Sequence, residues 1–386
     1  MKITDVKVFE LVGGQIPQLA LFEPVSGKGG HAGWSGSTPG TIKRRYVQIE
    51  TNEGLNGLSA TLTDTAALYI IKHILKDSLI DEDPLAVEAL WEKMYQTLVH
   101  NRKGSGMIAI SLLDIALWDI CGKYRQEPVY CLLGGPTRET VPAYAAMLGF
   151  DTQPTSVAKR STKMAEQGFT AMKWYFSYGD QHGNSGLNAN IEMVKAFRDA
   201  VGYDIDLMLD FRRVMMNTSL RYVLKLVNRI ERYEPFWLEE PFPPDDFESY
   251  AALAKATNIP IAGLEHEYTR WGFKNLIEKD AAQILQPNTS WAGGITEMRK
   301  ICALASAFGR WVVPHSNEDV PVNIHLLFGQ QPRTCPLQEF NPKLNAANQY
   351  FFKNKVQPKN GVFTIPKGPG FGIELDQVKI VKIENI

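Results

Sequence analysis

DIDLMLD at residues 204–210, FWLEE at 236–240 and PIAGLE at 260–265 decide the fold of this 386-residue chain. Each is a short apolar run that ends in an acidic residue. The stretches between them, such as 218–233, space their apolar residues as an amphipathic helix does. The same alternation of strand, polar turn and helix extends outward in both directions. It runs from VPAYAAML (141–148) and TAMKWYF (170–176) through AQILQP (282–287) and RWVVP (310–314) to CPLQEF (335–340). Eight strands alternating with helices over about 200 residues is the arithmetic of a closed parallel (β/α)8 barrel of the TIM type. An open doubly wound sheet usually announces itself with a GxGxxG turn after its first strand, and the sequence has none.

The remainder reads as an appendage to that barrel. Residues 1–125 form an α+β capping domain: strand-like ITDVKVFEL (3–11) and RRYVQIET (44–51), a hairpin turn at Thr51–Gly54, then helical patterns to about Gly122. A Gly-rich loop from Gly13 to Gly40 carries His31 and Trp34, and a loop that long is uncommon unless it is a lid or is disordered. Residues 126–345 make the barrel, and 346–386, ending in the alternating VKIVKIENI (378–386), return to the capping domain.

Composition excludes several function classes. With 41 Lys+Arg against 42 Asp+Glu, the net charge is −1, so the chain has no electrostatic reason to bind nucleic acid or an anionic membrane. Cys121, Cys131, Cys302 and Cys335 form no CxxC pair and read as thiols of a reducing compartment. The start, MKITDVKVFELVGG, lacks the apolar core of a signal peptide. The most apolar run, GMIAISLLDIALWDICGK (106–123), is interrupted by Asp114 and Asp119, which argues against a membrane span. A cytoplasmic protein is expected.

Chemistry in a parallel barrel sits at the C-terminal ends of the strands. Asp210, Glu239 and Glu265 end the third, fourth and fifth strands, spaced by 29 and 26 residues, one βα unit each time. Adjacent strands lie only about 4.8 Å apart, so three such carboxylates repel one another unless a hard dication such as Mg2+ joins them. On the second strand, period-two alternation sends Lys173 and Tyr175 to the barrel interior and Trp174 and Phe176 to the helices. His315 and His266 are the two histidines at strand ends, suited to proton transfer, and Glu339 lies on the eighth strand. Arg212, two residues past Asp210, is placed to pair with a substrate carboxylate or hydroxyl, or else with Glu239 or Glu240.

These residues, together with YVQIETNEG, SLLDIALWDICGKYRQEPVYCLLGG, WLEEPF, QPNTSWAGGITE, PHSN and GPGFGIELD, resemble the mandelate racemase subgroup of the enolase superfamily over nearly the whole chain. EPFPPDDFESY, GLEHEYTRWGF and ILQPNTSWAGGITE look most like acid-sugar dehydratases of the L-rhamnonate dehydratase type. The resemblance implies one Mg2+ on Asp210, Glu239 and Glu265, proton transfer by His315 through an enediolate, and substrate contacts from His266, Glu339 and His31. It also implies a small-molecule sugar acid as partner and a homo-oligomer, dimer or octamer. Two departures stand out. The subgroup often carries Lys-x-Lys where this chain has Lys173-Trp174-Tyr175. A tyrosine, with a reference pKa near 10, is a poor base, which disfavours chemistry with opposed bases. The Asp that pairs with the strand-seven histidine is here Asn288. An uncharged partner weakens a catalytic imidazole, and Glu318 or Asp319 is the nearest replacement charge. The readings that follow are dehydration of a sugar acid to a 2-keto-3-deoxy acid, another metal-assisted isomerisation, or a catalytically weak sugar-acid-binding protein.

Overall fold

Alternation of apolar and polar residues builds the first sheet. Strands β1 (Ile3–Gln15), β2 (Thr41–Thr51) and β3 (Asn56–Thr61) form an antiparallel meander. The turn between β2 and β3 closes with Gly54 N–H to Thr51 C=O at 3.1 Å, and Gly54 takes φ +77°, a conformation that costs glycine little. The computed structural model describes residues 1–18, 23, 40–61, 64–212, 214–316 and 319–386. His31, Trp34 and Glu318 therefore lie outside the described residues.

The helix Ser105–Arg125 is apolar on every side and is accordingly buried on every side. It is the one helix among those described that is long and apolar enough to cross a membrane, and 94% of its apolar window is buried inside the fold. Its two acids take backbone donors from outside the helix, although one oxygen of Asp114 stays buried without a partner and Asp119 also pairs with Lys123 of the same helix at 2.7 Å. Asp119 accepts from Leu58 N–H and Phe371 N–H, both at 3.0 Å, and Asp114 accepts from Thr296 N–H at 3.0 Å. Gly57 permits the sheet to approach, because a Cβ there would lie 1.9 Å from Ala116 C=O.

The eight expected strands are all present: β4 (Thr140–Ala146), β5 (Ala171–Tyr175), β6 (Asp206–Asp210), β7 (Pro235–Glu239), β8 (Ile261–Gly263), β9 (Ile284–Leu285), β10 (Trp311–Val312) and β11 (Gln338–Phe340). Consecutive strands from β4 to β10 pair in parallel, and β11 pairs in parallel with β4. The β10–β11 seam is joined by Val312 N–H to Thr334 C=O at 2.8 Å and by the Gln338 side-chain amide to Pro314 C=O at 3.1 Å. Helices separate the strands, each with its apolar stripe on the sheet; in Leu220–Ile230 the buried face is Tyr222, Val223, Leu226, Val227 and Ile230.

Inside the barrel, inward residues form an apolar layer that includes Tyr144, Ala171, Met208, Trp237, Ala262, Ile284 and Val313. The tail does two things. Strand β12 (Val362–Thr364) pairs antiparallel with the start of β4, and β13 (Lys382–Asn385) pairs antiparallel with β1. The returning segment thus touches the barrel before it reaches the capping sheet.

Candidate active site

Two residues beyond the apolar layer the inward side chains become charged. Period two carries Met208 to Asp210, Trp237 to Glu239 and Ala171 to Lys173, all pointing inward. Tyr175 pairs in register with Asp210, and Asp210 with Glu239, so three of the expected residues share a level. Trp174 points the other way, donating its indole N–H to Ser161 on the helix Pro154–Glu166 at 3.0 Å.

Lys173 Nζ is the hub of one half of the site. It lies 3.2 Å from Asp210 Oδ2 and 2.9 Å from Glu339 Oε1, donates to Glu239 Oε1, and faces the Tyr175 ring at 5.5 Å. All four ionic groups are buried. Burial works against the ammonium, but Glu239 and Glu339 hold its pKa well above the ordinary value. Burial, then the nearby Asp210 and Glu339, pushes the Glu239 carboxyl well up despite Lys173. Burial also raises the Tyr175 phenol well above its usual value. The second oxygen of Glu239 accepts from Gln286 Nε2 at 2.8 Å and from the Trp237 indole at 3.1 Å.

Glu265 organises the other half. It follows β8 by two residues, and each of its oxygens meets an imidazole: His266 Nε2 at 3.0 Å on Oε1 and His315 Nε2 at 3.0 Å on Oε2. Arg212 Nε adds a third contact to Oε1 at 3.3 Å. Arg212 therefore pairs with Glu265, whereas the sequence pointed to a substrate group, Glu239 or Glu240. Burial opposes the Glu265 charge, yet His315 and His266 hold this carboxyl well below its usual range. Burial likewise opposes protonation of His315, but Glu265 and then Glu339 push its pKa up to about 10. Trp291 stacks on the His266 ring (centroids 5.3 Å apart, 13° between planes) and lies 5.5 Å from that of His315.

The two halves meet at Glu339. One of its oxygens is the Lys173 partner, and the other accepts from Ser316 N–H at 2.9 Å and lies 4.0 Å from His315 Nε2. Asn288 sits beside the ring of His315 with its amide nitrogen 2.9 Å from Nδ1. Its oxygen accepts the backbone N–H of Ser290 at 2.9 Å, which fixes which end of the amide faces the histidine. Asp319 accepts a hydrogen bond from Ser290 Oγ at 3.3 Å.

Glu240, next to Glu239, carries weight that the sequence reading did not give it. Its φ is +47°, one oxygen accepts from Glu265 N–H at 3.3 Å, and the other is buried with no hydrogen-bond partner. Burial, then the Glu265 charge, raises its pKa to about 7. Ligand atoms of Glu240, Glu265 and His266 all lie within 4.8 Å of one another. Crowded, buried carboxylate oxygens, one of them unpartnered, fit a hard dication. The signal for Glu240 was the doubled acid of WLEEPF, and that for Gln286 was its place at the end of β9.

The fold and the motifs have counterparts among known proteins. Residues 35–134 match the mandelate racemase/muconate lactonizing enzyme N-terminal domain, and residues 156–379 match the enolase C-terminal domain-like family. An L-rhamnonate dehydratase from Saccharopolyspora erythraea is 36% identical over 340 residues, covering 86% of this chain and 82% of that protein. Among solved structures, an enolase superfamily member from Salmonella Typhimurium superposes with a TM-score of 0.84 at 26% identity, covering 99% of both chains. The 3,6-anhydro-D-galactonate cycloisomerase from Zobellia galactanivorans gives 0.81 at 27% identity, covering 99% of this chain and 100% of that one.

Proposed function

From the mandelate racemase/muconate lactonizing enzyme family of the enolase superfamily, to which this chain belongs, we propose that it inherits a hydro-lyase activity: dehydration of a sugar acid, an aldonate such as L-rhamnonate, to the 2-keto-3-deoxy acid. In this reading Asp210, Glu239 and Glu265 hold one Mg2+, with the unpartnered Glu240 oxygen beside them. When bound, the dication draws charge from the substrate carboxylate and makes the C2 proton removable.

The chain's own residues do the rest. The observation that carries the proposal is Glu339, whose two oxygens face two different proton carriers, Lys173 at 2.9 Å and His315 at 4.0 Å. Dehydration needs a proton taken from C2 and a proton given to the departing 3-hydroxyl. We assign this transfer to His315, with Lys173 as the alternative donor or acceptor and Glu339 holding a substrate hydroxyl between them. Tyr175, its phenol raised by burial, is an ammonium support and not a base. Arg212 and His266 hold Glu265 and border the substrate; His31 and Trp34, which the sequence offered as substrate contacts, lie outside the described residues.

The test is incubation with a panel of sugar acids and Mg2+, read by a colour assay for 2-keto-3-deoxy acids. Product from at least one aldonate supports the proposal. Cyclised or epimerised acid in its place supports an isomerase. Saturable binding with no turnover supports a sugar-acid-binding protein, the reading favoured by the uncharged Asn288 beside His315.

A further inference from the structure

Most exposed apolar side chains on this molecule are scattered, but one stretch concentrates them. Val378 is 94% exposed, Val381 75% and Ile383 57%, and Ile386 is exposed as well. All four fall within nine residues, on or beside β13. That strand is also the edge of the capping sheet, whose order is β13-β1-β2-β3. Its inner side pairs with β1, and among the described residues no strand pairs with its outer side. An apolar edge strand with unpaired backbone groups is a template for another strand.

The charges on β13 say which strand. Lys382 and Glu384 flank Ile383, both partly exposed; within one copy they pair with each other at 2.7 Å, and Glu384 lies 3.7 Å from Lys43. If two copies of β13 pair antiparallel about a two-fold axis through Ile383, Lys382 of each copy stands opposite Glu384 of the other, and the two Ile383 side chains meet. Shifting the axis by one residue either way sets Lys382 against Lys382 or Glu384 against Glu384. Opposite charges across an antiparallel pair stabilise it and like charges destabilise it. The pattern is therefore self-complementary in one register, as a two-fold symmetric interface requires.

We infer that β13 is an isologous dimer seam: a second copy of this chain adds its own β13 antiparallel, centred on Ile383, and merges the two four-stranded capping sheets into one of eight strands. The seam covers Val381 and Ile383 at the edge of the capping sheet.

Sedimentation of the full chain gives the first measure, with an even-numbered assembly expected; a monomer at micromolar concentration overturns the inference. I383K places two ammonium groups at the axis and is expected to halve the mass. An unchanged mass also overturns it. Because Ile383 is half exposed, the fold tolerates this change, and a far-UV spectrum checks that it does. K382E is expected to dissociate the dimer and the swap K382E/E384K to restore it, since the swap regenerates the same complementarity. Failure of the swap to restore assembly argues against this register. I383C is expected to give a disulfide-linked dimer on mild oxidation. The parent chain, whose Cys121, Cys302 and Cys335 are buried and whose Cys131 is half-buried, is expected to give none.

Discussion

The strands of the barrel carry two layers with opposite physics, one residue pair apart. In the lower layer Met208, Trp237 and Ala171 meet Tyr144 and Ala262 in a dry apolar core. In the upper layer the next inward positions of the same strands are Asp210, Glu239 and Lys173, buried to the same degree but charged. Removing the lower residues costs packing. The upper ones are held by mutual compensation and individually cost stability, since burying an ion is expensive unless a partner is in place. Stability and chemistry are thus divided by height along the same strands.

The largest expected effect is in the upper layer. Glu265→Gln keeps the shape but removes the charge on which His266, His315 and Arg212 converge. Turnover of the accepted sugar acid is expected to fall about 10³-fold, the scale of losing a preorganised electrostatic group, with calorimetric Mg2+ binding weakened in parallel and thermal stability lowered because His315 and Arg212 lose their buried counter-charge. A variant with full activity breaks the division.

Lys173→Met leaves Asp210, Glu239 and Glu339 facing one another without their ammonium. Unfolding free energy is expected to drop by about 3–5 kcal/mol in chelator. Millimolar Mg2+ is expected to return part of it, because a dication can compensate the same oxygens. Trp237→Ala is the control from the lower layer. It is expected to lose about 3–5 kcal/mol through the cavity with no recovery on adding Mg2+, as read by denaturant titration. Equal metal rescue of both variants would mean the layers are not distinct.

Asn288→Asp refines the upper layer. The carboxylate retains the Ser290 N–H bond and offers a charge to His315 Nδ1, and kcat is expected to rise about 10-fold, a modest share of what the reverse change costs in a serine protease triad. A slower variant gives the amide its own role.

A last effect, seen only as the pH is lowered, extends the apolar rule outside the barrel. His325, on the helix Val320–Phe328, accepts Tyr130 N–H at Nδ1, and burial lowers its pKa from 6.5 to about 3. Between those values the unfolded chain binds the proton and the folded chain does not. This residue therefore makes stability fall as the pH drops from 6.5 towards 3, by up to about 1.4 kcal/mol per unit. His325→Gln is expected to flatten that slope in acid-denaturation curves.

Much of this was legible from residue order. Strand ends at Asp210 and Glu239 follow from apolar runs closing on an acid, and the inward Lys173 with outward Trp174 follows from period two. These are properties of single strands. What was hidden depends on loops meeting other loops. Arg212 turns to Glu265 because its own backbone N–H is fixed on Asp210 Oδ1 at 2.6 Å, and no spacing encodes that. The orientation of Asn288 is set by a backbone donor two residues on. The pairing of β12 with β4 joins segments about 220 residues apart, with no turn motif between them to announce it. Glu240 entered the sequence reading only as a partner for Arg212, since a left-handed backbone at a non-glycine residue leaves no mark in composition.

Phe9 lies opposite Asn385 in the ladder between β1 and β13. The whole barrel separates these two strands in the chain, so β1 is made well before the strand that covers its outer edge. The eight barrel strands leave the exit tunnel earlier and can assemble first. A truncated translation product would carry a finished barrel beneath an incomplete cap, with the outer edge of β1 open to pair with the wrong chain.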